Sequence, residues 1–272
     1  MTHRVHLDYA SSAPLFDEVK NAMKLAIDND QFDPRRLYDD AIKSRYEIED
    51  ARIRVAEFFG CDPFEVIFTS SHSESLSTFA FGAIDTTQNR FLTATGLDQH
   101  RVIATPYDSE VLLKTWLREN IDIQMLAGNN KATLDVSNLD SFIDESTKAI
   151  TIPFAHPDTG TLQDFNSIST VVRQSNPDCL IHLDARLAAG NIDLNFSEMD
   201  IDAMSVDPST FGGPSGVAAL ILSRRSHLSP LLIGATQERA RRAGLENHIG
   251  IIGFATACDR AQKILPELVV RN

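Results

Sequence analysis

The feature that most restricts the fold is the regular succession of short apolar runs and amphipathic stretches in the second half of the chain. Runs at Ile121–Leu126, Ala149–Phe154, Cys179–Asp184, Ala203–Val206 and Val217–Leu222 read as strands. Helical stretches separate several of them: one from a cap at Asp108 to Glu119, a short one near Ser137–Asp144, and one at Gln163–Gln174. Strands that alternate with helices need crossover connections, and a sheet joined by crossovers is mostly parallel and covered on both faces. The expected fold class is α/β, with three α/β/α layers around a mostly parallel sheet.

The first half is less regular. VHLDYASSAP reads as a short strand and a turn, after which Pro14 opens a helix with Phe16, Val19, Met23 and Ile27 on one face. A longer helix runs to about Phe59, with Ile48, Ala51, Val55 and Phe58 spaced by three and four, and Gly60 stops it. Glu65–Phe68 is a strand, and TSSHSES caps a helix through about Ile84. Further strands at Arg90–Thr95 and Val102–Ala104 flank the polar loop GLDQH. The stretch Glu246–Val269 reads as one closing helix, with Ile249, Ile252, Ala255 and Ala257 inside.

Composition narrows the function classes. A chain of 272 residues that is 43% hydrophobic suffices for one large core and part of a second, and no apolar run is long enough for a membrane helix. The net charge of -13 opposes a general nucleic-acid or anionic-membrane binder, since phosphates are repelled. MTHRVHLDYA shows no secretory leader, so the cytoplasm is the expected compartment. Cys61, Cys179 and Cys258 stand alone, without disulfide or zinc spacing, and read as small core fillers. His156, Asp158, His182 and Asp184 are a conceivable divalent-ion set, because His182 and Asp184 share a strand face. Hydrogen bonding of His72 and His156 to neighbouring backbone is the favoured reading, and no metal is assigned.

The loop Ser205–Gly216, SVDPSTFGGPSG, lies between two strands, where α/β proteins place reactive groups. Its Gly213-Pro214-Ser215-Gly216 turn resembles that of the cysteine desulfurases and class V aminotransferases, pyridoxal-phosphate enzymes of fold type I. Five other segments resemble the same family in the same order: VHLDYASSAP, VIFTSSHSES, FAHPDTGTLQD, LIHLDARLAAG and GATQERARRAGLEN. The resemblance spans about residues 5 to 260. It implies a large domain with a seven-stranded-type sheet over residues 1–245, and over 246–272 a helix leading to a truncated or absent small domain.

The resemblance also implies which site residues are kept and which are replaced. Asp184 matches the aspartate that pairs with the pyridine nitrogen and makes the cofactor an electron sink. Ser71, His72 and Ser73 match the helix start that holds the phosphate. Leu187 stands for a glutamine near the phenolic oxygen, His156 or Pro157 for an asparagine, and Pro106–Asp108 offers no ring-stacking histidine. Asp207 and Ser209 replace a serine and a histidine of the phosphate cup, and Leu245 replaces a threonine given by the neighbouring subunit. Thr210 falls where the Schiff-base lysine belongs, and a threonine forms no imine. No lysine lies between Ala149 and Gln262.

The expectation is a protein of this fold without Schiff-base catalysis, acting as a dimerising, regulatory or scaffold protein, as a homodimer or beside an active relative. No cofactor is expected. The alternative is an enzyme that binds pyridoxal phosphate noncovalently, or a hydrolase or lyase rebuilt around His156, Asp158, Asp184 and Arg186. Arg186 is expected to neutralise Asp184, and the Arg239, Arg241 and Arg242 cluster to make a subunit contact.

Overall fold

The computed structural model describes residues 5–84 and 100–269. The sheet contains seven strands among these residues: β1 (Val66–Thr69), β2 (Arg101–Ala104), β3 (Asp122–Met125), β4 (Thr147–Pro153), β5 (Leu180–Asp184), β6 (Ala203–Val206) and β7 (Ala218–Leu222). Their spatial order is β1-β7-β6-β5-β4-β2-β3. Only β7 runs against its neighbours, β1 and β6; the other pairs are parallel. The strand expected at Arg90–Thr95 and all but the last residue of the loop after it lie outside the described residues.

Period-two alternation builds the three layers. On β1, Val66 and Phe68 face one cluster and Ile67 faces the other; on β7, Ala219 and Ile221 oppose Leu220 and Leu222 in the same way. The first face is covered by α1 (Asp17–Asp28), α2 (Asp39–Phe58) and a closing helix numbered α6 (His248–Val269), with α1 and α2 both packed on α6. Phe59, Phe68 and Phe254 interlock there, partly in edge-on contacts. Before α6 in sequence, α5 (Phe165–Ser175) joins this face through Ile168 and Val172. The second face is covered by α3 (His72–Gly82) and α4 (Glu110–Arg118), which bring Leu76, Phe79, Leu112 and Trp116 to full burial.

Several local expectations shift. Residues 5–14 form a turn rather than a strand, since no strand lies beside them; Ala13 N instead donates to Ser209 O at 2.7 Å and Phe16 N to Gly212 O at 3.1 Å. In α1 the inward stripe continues through Ala26, and Ile27 is 61% exposed. Val19 and Ala26, seven residues or two turns apart, are the buried positions of this helix. The Ser137–Asp144 stretch holds one 3-10 turn, Leu139–Phe142. In α6, Ile251 and Phe254 are fully buried, whereas Ile249 and Ile252 are half-buried. Ser109, not Asp108, caps α4, by accepting from Val111 N at 3.3 Å.

A buried ion pair ties α2 to the segment before α6. Arg52 and Glu238 are 2% and 4% exposed and meet through two hydrogen bonds of 2.7 Å. Glu238 Oε2 also accepts from Phe68 N at 2.9 Å, and Arg52 donates to Val66 O at 2.9 Å, so both ends hold β1. The pair anchors three consecutive left-handed residues, Glu238, Arg239 and Ala240, a conformation that costs about 1–2 kcal/mol per non-glycine residue. The neighbouring arginines are engaged within the chain. Arg239 bonds Glu49 at 3.0 Å, Arg241 bonds Phe64 O at 2.6 Å, and Arg242 bonds Glu74 at 2.8 Å. Arg52→Ala strands the Glu238 carboxylate in the core and is expected to lower the unfolding free energy by about 3–5 kcal/mol in urea titration; a loss below about 1 kcal/mol excludes this anchoring role.

Candidate functional site

The parallel strands end on one side of the sheet, and a cavity of about 460 Å³ opens there, in the position that open α/β sheets use for ligands. Pro153 at the end of β4, Asp184 at the end of β5, Asp207 after β6 and Asp108 after β2 line it, with the start of α3 as its far wall. Register fixes the floor: Asp184 lies between Pro153 on β4 and Ser205 on β6.

Asp184 is the centre of the site. Its Oδ1 takes a hydrogen bond from Arg186 N at 3.1 Å and meets His72 Nε2 at 2.8 Å. Burial pushes the Asp184 carboxyl up, but the charge and hydrogen bond of His72 outweigh this and hold it below the ordinary carboxylate range. The carboxylate is therefore ionised and the shared proton sits on Nε2. His72 is the first residue of α3, whose Ser71 cap accepts from Glu74 N at 3.1 Å, and Glu74 is in turn held by Arg242 and Ser70.

A second polar chain runs beneath this pair. Asp108 accepts from Thr105 N at 2.6 Å and from Thr151 Oγ1 at 3.2 Å. Thr151 Oγ1 also meets His182 Nδ1 at 3.1 Å, and His182 Nε2 meets Ser205 Oγ at 2.8 Å. His182 is fully buried, stacked on Phe79 at 4.4 Å, and burial pushes its pKa down to about 3. Burial pushes the Asp108 carboxyl up to about 8, against the hydrogen bonds from Thr105 and with help from the Asp184 charge. Asp184 and Asp108, two carboxyls of one cleft, thus stand in opposite protonation states at neutral pH.

The other residues singled out from sequence occupy distinct roles. Thr210 is buried, and its hydroxyl points at backbone, 2.9 Å from Arg186 O and 3.2 Å from Asp207 O. Asp207 caps the turn Pro208–Phe211 by accepting from Ser209 N at 2.8 Å. Arg186 does not neutralise Asp184 through its guanidinium. It reaches Asp207 at 3.5 Å and Ser11 O at 2.7 Å, because the side chain after the strand end turns away from the β5 floor. Ser71, Ser73 and Leu187 line the cavity. His156 Nδ1 accepts from Asp158 N at 3.2 Å and Thr159 N at 3.3 Å, so it stabilises its own turn. His72, by contrast, bonds a distant side chain, not neighbouring backbone. The conceivable ion set is not assembled: His182 is consumed by Thr151 and Ser205, Asp158 is exposed, and the described residues contain no group of three or more ligating side chains. Asp184 and Arg186 line this cavity, whereas His156 lines a neighbouring one.

No lysine lines the cavity. Lys148 is the second residue of β4, five residues before Pro153 and about 17 Å away along the strand. Burial pushes the Cys61 and Cys258 thiols well up and Cys179 up to about 12, so none is an activated thiolate.

Comparison with known proteins now bears on this geometry. The family model for class-V aminotransferases matches residues 5–267. The chain belongs to the class-V aminotransferase family. It is similar to a cysteine desulfurase IscS of Dictyoglomus turgidum, 30% identical over 265 residues, covering 96% of this chain and 64% of that protein. It is also similar to one from Methanosarcina thermophila, 28% identical, covering 97% of this chain and 63% of that protein. The chain thus spans slightly less than two thirds of the length of these curated relatives. Among solved structures, a NifS-like protein superposes with a TM-score of 0.91 at 26% identity, covering 97% of this chain and 71% of its own. No helix among the described residues is long and apolar enough to cross a membrane.

Pyridoxal phosphate, which membership of a class-V aminotransferase family raises for any such cleft, does not fit the residues present. The carboxylate that would meet the pyridine nitrogen already holds His72, Asp207 adds a negative charge to the phosphate end, and no amine reaches the floor. Sequence reasoning missed Asp108, Thr151 and Ser205; the available signal was that positions 108 and 184 both follow strand ends of one parallel sheet. Asp108 also gives the site a pH signature. The folded state keeps the Asp108 proton to about pH 8 whereas the unfolded chain loses it near 3.8, so stability falls as pH rises across that window. His182 acts oppositely between about 3 and 6.5, where only the unfolded chain takes up its proton and stability rises with pH. Above about pH 6.5 Asp108 acts without that offset, with a slope of at most about 1.4 kcal/mol per pH unit. Asp108→Asn is expected to flatten the decline in urea-unfolding free energy between about pH 6.5 and 8; an unchanged slope shows that Asp108 is ionised there.

Proposed function

We propose that the chain is a cysteine desulfurase-like protein that does not perform Schiff-base catalysis and acts as a dimerising, regulatory or scaffold protein in the cytoplasm. The observation that carries the reading is Thr210. At the position matched to the lysine by the Gly213-Pro214-Ser215-Gly216 turn, a hydroxyl is spent on two backbone carbonyls, and no ammonium group lines the cavity. Neither part of desulfurase chemistry is supported by the residues present: there is no amine to hold an aldehyde, and the three thiols are all pushed towards their protonated form. In this reading residues 1–245 are the large domain and 246–272 lead towards a small domain.

Assembly is proposed with a second copy or with an active relative. The segment GATQERARRAGLEN, which resembles the family segment reaching a neighbouring subunit, has its arginines engaged internally. Leu245 within it is 61% exposed, and Ile233 just before it is 86% exposed. These two apolar groups, not the charges, are the proposed contact. Replacing both by aspartate is expected to convert a dimer to a monomer in sedimentation velocity; a wild-type chain that is monomeric at tens of micromolar overturns the assembly.

The catalytic half is tested by incubating the full chain with pyridoxal phosphate, reducing with borohydride and mapping peptides by mass spectrometry. No site-selective reduced adduct is expected on any of the seven lysines. A stoichiometric adduct on one lysine defeats the reading.

A further inference from the structure

We infer that His72 is the side chain that shuts this cleft to pyridine rings, by holding with its own imidazole the hydrogen-bonding position on Asp184 that such a ring requires. The inference rests on the proposed reading that the cleft lacks Schiff-base chemistry and adds which residue closes it and which class of molecule enters when it is removed.

The geometry is that of an internal ligand. Imidazole, like a protonated pyridine, is a planar heteroaromatic ring with an in-plane N–H donor, and the 2.8 Å contact to Asp184 Oδ1 has the length of a full charge-assisted bond. His72 and Asp184 are each 13% exposed, so the bond is largely shielded from water. The same Oδ1 accepts from Arg186 N, which fixes the carboxylate in the orientation His72 uses. A second ring must displace the imidazole before it can pair with Oδ1, and it then leaves a histidine without its partner. Room is not the obstacle, because about 460 Å³ falls within the usual range for small-molecule sites.

The backbone around His72 makes the plug removable. As the first residue of α3 it contributes little to helix hydrogen bonding, and the Ser71 cap and the Glu74–Arg242 pair do not depend on its ring. Truncation to alanine therefore leaves the helix start intact and a ring-sized space opposite Asp184, where a protonated ring nitrogen can take the place of the imidazole as the carboxyl's partner. Of the three carboxyls that line the cleft, Asp184 offers an oxygen to a protonated ring nitrogen, whereas Asp207 is engaged by Arg186 and Ser209 N, and Asp108 holds its own proton and is occupied by Thr105 and Thr151.

The test uses pyridoxine, which has the substituted pyridine ring but no aldehyde to form an imine and no phosphate to meet Asp207. Its binding is measured by isothermal calorimetry and by thermal shift on the full chain, on His72→Ala, and on His72→Ala with Asp184→Asn. The expected result is binding to His72→Ala at least about tenfold tighter than to the wild type, lost again in the double variant. Equal affinity for wild type and His72→Ala, or binding that survives Asp184→Asn, overturns the inference. Failure of a folded His72→Ala to bind also overturns it, since something else then closes the cleft. If His72→Ala unfolds, recovery of its fold by pyridoxine supports the inference and lack of recovery, in it and in His72→Ser, defeats it. Because pyridoxine cannot be trapped on a lysine, these outcomes are independent of the borohydride result.

Discussion

A carboxylate placed at the end of a buried parallel strand has to be given a proton donor. Asp184 lies between β4 and β6, is shielded from bulk water, and remains ionised because His72 crosses from the opposite side of the cleft to meet it. Without that partner the carboxyl is driven to take up a proton, or the charge stands uncompensated at a cost of several kcal/mol. The rest of the cleft is arranged consistently with one such charge: Asp108 is protonated, His182 is neutral, and Asp207 is matched to Arg186 and a backbone N–H. The bonds that hold Asp184, Asp108, His182 and Asp207 are all made within the chain.

In the proposed reading of a cleft without Schiff-base chemistry, the side chains meet one another: His72 supplies a ring nitrogen to Asp184, Thr210 turns its hydroxyl to two backbone carbonyls, and Asp207 caps a turn. The buried Arg52–Glu238 pair holds β1 against the left-handed segment apart from these contacts.

Much of the fold was legible because burial writes a period into the sequence. The runs that became β4 to β7 are nearly continuous in apolar residues, as strands covered on both faces must be, and α2 shows its inward stripe at Ile48, Ala51, Val55 and Phe58. Legibility failed where partners decide. VHLDYASSAP has strand-like residues but nothing to pair with, and Ile27 looked inward only because it is large, while the small Ala26 in fact faces the core. In the site, Asp184 could be picked out by its surroundings, yet the residue that answers it is 112 positions away, and Arg186, the neighbour in sequence, turns elsewhere. Local sequence reports which side chains are present at a strand end. It does not report which of them will span the gap.

The order of the strands has a consequence for how the chain comes into being. Among the described residues β1 finds its only strand neighbour in β7, about 150 residues later, so on a ribosome adding about 5–20 residues per second it waits roughly 8–30 s for that edge to exist. Throughout that interval Val66–Thr69 is an unpaired apolar strand, and α3, which follows it directly, cannot yet face the β5 floor. The newborn polypeptide thus passes through a period of vulnerability to wrong pairing that ends only when its last strand emerges, and folding helpers that shield nascent edges are most useful to it then.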